Sequence, residues 1–150
     1  MPRNYFENEL LLGLNKQLSE GALLIVENPN NYFEKMYSLY PTMGSKIAWS
    51  RVPGSISERL KANSDSDIRE QFLLFFERTM RTFKLKGPAV YLGDGAIDFA
   101  VAGDIEVLKN SLKIFLDIPH HHYFVCETVK WCLSLTMELD MHFGEASLQR

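Results

Sequence analysis

Trp131 to Phe143 reads WCLSLTMELDMHF, and every odd position in it is apolar: Trp131, Leu133, Leu135, Met137, Leu139, Met141 and Phe143. The even positions are Cys132, Ser134, Thr136, Glu138, Asp140 and His142. Successive side chains of an extended chain leave opposite faces of the pleat, so an unbroken period of two predicts a half-buried antiparallel strand, one face packed and the other wet. The segment before it, His120 to Cys126, reads as a partner strand joined through a turn at Glu127 to Lys130. Two registers are open. If Glu127 pairs with Trp131, Cys126 faces Cys132, and Tyr123 and Val125 join the buried face. If Cys126 pairs with Trp131, Phe124, His122 and His120 go inward instead. The first is favoured because it buries no histidine pair.

Outward from this sheet, Asp67 to Phe83 carries an apolar stripe through Ile68, Phe72, Phe75, Phe76, Thr79, Met80 and Phe83 at helical spacing. Asp67 and Glu70 fit a variant of the capping box. Its phenylalanines need a surface to cover, so the helix is expected across the inner face of the sheet. AVYLGDGAIDFAV, from Ala89, predicts a hairpin with strands at 89–93 and 96–101 around Asp94-Gly95, a pair suited to a type I′ turn. Gly103 to Asp117 follows as an amphipathic helix. Nearer the start, helices are expected at Asn4–Leu18 and from Asn30 or Asn31 to Tyr40, strands at Ala22–Val26 and Lys46–Val52, and a loop at Lys61–Ser66. The fold class is therefore α+β: an antiparallel sheet with helices mainly on one face, ending in the order β-β-α-β-β. No repeat or linker divides residues 1–150, which are read as one domain.

The composition is that of an ordinary globular chain, 46% hydrophobic and 23% charged, with a net charge of −3. The charge is unevenly spread. Residues 1–93 hold 12 Lys and Arg against 10 Asp and Glu (+2), whereas residues 94–150 hold 4 against 9 (−5). A surface of that sign disfavours nucleic acid and favours a cationic partner. No run is long and apolar enough to span a membrane, and MPRNYFENELLLGLNKQ lacks the basic-then-apolar order of an export signal. Cytoplasm is the expected compartment, with Cys126 and Cys132 as free thiols.

Catalytic signatures are weak. Adjacent residues of His120-His121-His122 alternate faces, so only His120 and His122 can share an ion, with His142 or Glu138 as a distant third ligand. Ser134 and His142 are eight residues apart on one strand, about 27 Å if it is straight, out of reach for a nucleophile and its base. GDG at 93–95 precedes a strand, where a phosphate loop would open a helix. No cofactor is implied. What remains is an acidic surface on the sheet: Asp94, Asp98, Glu127, Glu138, Asp140 and Glu145.

The last third, HHHYFVCETVKWCLSLTMELDMHFGEA from His120 to Ala146, resembles small bacterial immunity proteins of contact-dependent growth inhibition systems. The resemblance rests on Tyr123 and Phe124, on Trp131 opening the next strand, and on the acidic ending Met137 to Gly144. It implies a non-enzymatic inhibitor that binds a cognate toxin domain, a nuclease in many such systems, through those six carboxylates. Two other classes stand beside it: a small enzyme joining Glu138 or Asp140 to a histidine of 120–122, and a homodimeric scaffold using Tyr32, Phe33, Tyr37 and Tyr40.

Overall fold

The computed structural model describes residues 2–146. In chain order the elements are α1 (Tyr5–Gly13), α2 (Asn15–Ser19), β1 (Leu23–Val26), α3 (Asn30–Leu39), β2 (Thr42–Met43), β3 (Lys46–Ile47), a 3-10 turn (Trp49–Arg51), β4 (Ile56–Arg59), α4 (Asp65–Phe83), β5 (Pro88–Gly93), β6 (Ala100–Asp104), α5 (Ile105–Asn110), α6 (Leu112–Phe115), β7 (His122–Cys126), β8 (Trp131–Leu135) and β9 (Asp140–Glu145). The fold is α+β, as the periodicities imply. A seven-stranded antiparallel sheet runs in the order β1-β6-β5-β7-β8-β9-β4, with β2 and β3 as a separate small ribbon.

The stretch 131–143 is two strands, not one. β8 and β9 form a hairpin whose turn is closed by Leu139 N–H donating to the Thr136 carbonyl at 2.9 Å, with Leu139 in the left-handed region at φ 68°. The register explains why the alternation concealed the turn. Odd residues pair with odd, Leu135 with Met141, Leu133 with Phe143 and Trp131 with Glu145, so the apolar parity passes through the reversal unchanged. The order at the end of the chain thereby gains a strand. Met137, at the tip, is 56% exposed.

Both faces of β8 are buried, Cys132 and Ser134 as completely as Leu133. On one face a continuous row, Ile25–Val101–Tyr91–Phe124–Leu133–Phe143–Ile56, crosses all seven strands. Phe72, Phe75 and Phe76 of α4 pack on it, joined by Leu10 of α1, Leu108 of α5 and Phe115 of α6. Phe76 meets Phe124 edge to face at 5.2 Å. On the other face α3, β3 and the 3-10 turn bring Met36, Tyr40, Ile47, Trp49 and Val52 against Val90, Tyr123, Val125 and Cys132. Helices therefore lie mainly, though not solely, on one side.

The β7–β8 register is the alternative that the sequence reading disfavoured. Val125 pairs with Cys132, which places Cys126 opposite Trp131 and turns Phe124, His122 and His120 into the main core. The turn accommodates this with Val129 at φ 57° and its N–H on the Cys126 carbonyl. The two thiols are free and belong to opposite faces.

Other boundaries shift for local reasons. α4 begins two residues early because Ser64, not Asp67, is the cap: its Oγ accepts from Asp67 N–H. Lys46–Val52 is a strand only as far as Ile47. The edge strand β4, which the sequence reading missed, pairs with β9 instead. The Asp94-Gly95 pair opens a longer loop, residues 94–99, rather than a two-residue turn. β6 runs on to Asp104, whose side chain caps α5, and the expected long helix breaks at Ser111. α1 ends at Gly13, and its Tyr5 and Leu12 point outward while Leu10 and Leu14 enter the core.

Candidate functional site

The six carboxylates do not share one surface. Gly93 pairs with His122, and His122 with Leu135, so the 94–99 loop, the 136–139 turn and the start of β9 lie at one end of the sheet. Asp94, Asp98, Glu138 and Asp140 are there. Glu127, in the β7–β8 turn, and Glu145, paired with Trp131, lie at the other, a strand length of about 15 Å away. Asp140 is also paired with Arg59 at 3.4 Å and Glu138 with Lys46 at 3.5 Å, so their charge is partly answered within the chain. Among the described residues Asp94, Asp98, Glu127 and Glu145 take part in no ion pair.

Asp94 and Asp98 gain a context that the sequence did not show. They line a groove of about 490 Å³ with Glu27 at the end of β1 and with Asn30, Phe33 and Tyr37 of α3. Each wall is fixed. The Asp94 carboxylate accepts His121 N–H at 2.9 Å. Glu7, buried in the α1 capping box, accepts Asp98 N–H at 2.8 Å, and the Asn4 side-chain amide donates to the Ala96 carbonyl. Phe33 and Tyr37 stack one turn apart at 6.3 Å, and Tyr37 O–H donates to the Ser45 carbonyl. Burial, and then the Asp94 charge, push the Tyr37 phenol up. Arg3 binds Glu27 with a shortest contact of 3.0 Å, leaving Asp94 and Asp98 as the unanswered negative charge of the groove. Glu138 lies nearby in the 136–139 turn. A slight burial effect raises its carboxyl, but Lys46 and His121 hold it below the usual range.

Two histidine arrangements stand apart from this groove. His120, His122 and Tyr91 form a buried chain: Tyr91 Oη is 2.7 Å from His120 Nε2 and 2.7 Å from His122 Nδ1. His120 Nδ1 accepts Ala96 N–H, so Nε2 carries the proton and donates to Tyr91, which donates onward to His122. Burial lowers His120 to about 4 and His122 well below its ordinary value, and raises Tyr91. All three are neutral at pH 7 and satisfy one another. That mutual pairing is why the core accepts a histidine pair, and Gly93 leaves the space that the His120 ring fills. Among the described residues no three His, Cys, Asp or Glu are placed to hold a metal ion.

The hairpin also overturns the 27 Å separation of Ser134 and His142, which are cross-strand partners. They still make no hydrogen bond. The Ser134 hydroxyl is buried without a partner among the described residues, and His142 Nδ1 lies 2.7 Å from Ser57 Oγ on β4. The His142 ring stacks on Trp49 at 5.0 Å and 9°, and burial, opposed by Asp140, lowers it to about 4. The Asp140 carboxylate faces Arg59, so it does not orient the imidazole as the third member of a triad would.

Glu27, Phe33 and Tyr37 were not recognised as neighbours of Asp94 and Asp98. The available signals were the Asn28-Pro29-Asn30 turn, which starts α3 at the groove, and the aromatic run on α3. Of that run, Tyr40 is buried and donates to the Gly144 carbonyl, whereas Tyr37 remains 37% exposed. The chain matches no family model, no curated protein and no solved structure. Among the described residues no helix is long and apolar enough to cross a membrane.

Proposed function

We propose that the chain is an immunity protein of the contact-dependent growth inhibition kind, a non-enzymatic cytoplasmic inhibitor that binds and neutralises a cognate toxin domain, a nuclease with a basic cleft. The observation that carries this reading is the groove at one end of the sheet. There Asp94 and Asp98 stand without an ion pair among the described residues, beside the stacked Phe33 and Tyr37. A Lys or Arg side chain of a partner finds carboxylates and an aromatic face in the same place. Complementary charge acts first on the association rate and on partner choice, which suits an inhibitor that must intercept an incoming toxin. Glu138 and Asp140 extend the surface, with weaker effect because Lys46 and Arg59 already answer them.

The test is a growth-rescue assay in cells expressing the genetically adjacent toxin domain. The wild-type chain is expected to protect, Asp94→Lys/Asp98→Lys to fail, and Glu127→Lys/Glu145→Lys, at the opposite end, to protect as wild type. Thermal melts establish that both variants fold. Protection by the Asp94→Lys/Asp98→Lys chain would remove the groove from the account. Absence of protection by the wild-type chain would remove the inhibitor reading.

A further inference from the structure

A second surface, on the helical side, follows from the composition of α1. A nine-residue helix covering a core needs one apolar stripe, and α1 carries two large apolar side chains outside it. Phe6, Leu10 and Leu14 form the inward stripe, with Leu10 and Leu14 in the core and Phe6 packed against it. Tyr5, Glu9 and Leu12, at spacings of four and three, lie on the outward side, and there Tyr5 is 69% and Leu12 72% exposed. Between α1 and the α6–β7 connection lies a groove of about 470 Å³. Its floor is Phe6, Leu10, Ile114 and Ile118, with Tyr5 and Leu12 on its margin. Gly13 lets α1 approach Ile114 closely, since a Cβ there would stand 2.8 Å from Ile114 Cγ2 and oblige that side chain to shift.

Among the described residues the charged side chains of this groove are Glu9 and Asp117, and no Lys or Arg lines it. It continues past Asp117 and Ile118 into a smaller cavity of about 240 Å³ that adds Asp65 and one cation, Arg69, itself paired with Asp117 at 3.7 Å. An apolar trough rimmed by carboxylates selects a segment with apolar anchors and flanking cations, and its size lies in the range of binding pockets. We propose that this groove docks a basic amphipathic helix of a partner protein. Apolar side chains at i, i+3 or i+4 and i+7 enter between α1 and α6, and Lys or Arg residues face Glu9 and, with weaker effect because Arg69 already answers it, Asp117. The assignment does not depend on the inhibitor reading, because the groove shares no lining residue with the Asp94–Asp98 site.

The experiment uses the full chain and a fluorescein-labelled synthetic helix of Leu and Lys at amphipathic spacing, read by anisotropy against its counterpart with Glu in place of Lys. The Lys peptide is expected to bind at least tenfold more tightly than the Glu peptide. Leu12→Ser, Tyr5→Ser and Glu9→Lys are each expected to weaken it by about tenfold or more, while Leu74→Ser, at another exposed apolar side chain, and Glu127→Gln, at a carboxylate outside both grooves, leave it unchanged. The three test positions are solvent-facing, and thermal melts establish that each variant is folded. Binding by Leu12→Ser and Tyr5→Ser as tight as by the wild-type chain, equal binding of the two peptides, or a loss in Glu127→Gln as large as that in Glu9→Lys would overturn the proposal. Sedimentation showing a wild-type dimer that Leu12→Ser dissociates would also overturn it, by giving the groove to a second copy of the chain.

Discussion

Acidification from pH 7 to pH 5 is expected to remove a large part of the stability of this fold, through His120 and His122. In the folded chain both rings are buried and neutral, His120 lowered to about 4 and His122 further. In the unfolded chain each titrates near 6.5. Below 6.5 the unfolded state therefore binds protons that the folded state refuses. Stability is fully present above 6.5 and is lost as the pH falls towards the folded value. For His120 the loss between pH 7 and pH 5 is about 2 kcal/mol; His122, lowered further by burial, and the partly buried His142, also lowered to about 4, act in the same direction. A domain of this kind has about 5–15 kcal/mol in all, which makes the effect plain in a urea titration. Unfolding at pH 7, 6 and 5 should show a falling midpoint at constant m-value, and His120→Asn/His122→Asn, though less stable, should lose the share of the pH slope that these two rings supply while the share of His142 remains. A wild-type change below about 1 kcal/mol over this range would mean that the histidines are protonated or solvated in the folded state. The Tyr91-centred chain would then be wrong.

Phe76→Ala is expected to destabilise by about 3–5 kcal/mol, since Phe76 is fully buried between Phe72 and Phe124; a loss below about 1 kcal/mol by chemical denaturation would place α4 elsewhere. Under native conditions a thiol reagent should modify Cys126 and spare Cys132. Burial raises the half-buried Cys126 thiol, but the Thr128 hydroxyl and the backbone amides of Thr128, Lys130 and Trp131 bring it below its ordinary value, whereas Cys132 is fully buried and raised. Mass spectrometry of the labelled protein decides it, and modification of Cys132 first would reverse the assignment of faces.

The fold class was legible because it rests on period and composition, and the α4 stripe predicted that helix to within two residues. One error has a simple cause: sequence parity describes faces but not the path of the chain. A hairpin with odd-to-odd pairing preserves the parity of 131–143, so the turn at Thr136–Leu139 left no trace in the apolar pattern. The β7–β8 register was misread because a buried histidine pair was treated as a cost, when Tyr91, nearly thirty residues earlier, supplies both partners. The groove illustrates the same limit. Asp94 and Asp98 could be named from charge, but Glu7, Glu27 and Tyr37 reach them only through tertiary contact, and nothing local in the chain separated them from Glu127 and Glu145.

The central claim is that a cationic partner is drawn to the Asp94–Asp98 groove, and its most direct test is the association rate of the purified chain with the toxin domain encoded beside it. Biolayer interferometry should show the on-rate falling at least tenfold between about 50 and 500 mM salt. Asp94→Asn/Asp98→Asn should be slow already at low salt and lose most of that dependence. An on-rate that ignores both salt and the paired substitution would contradict the claim.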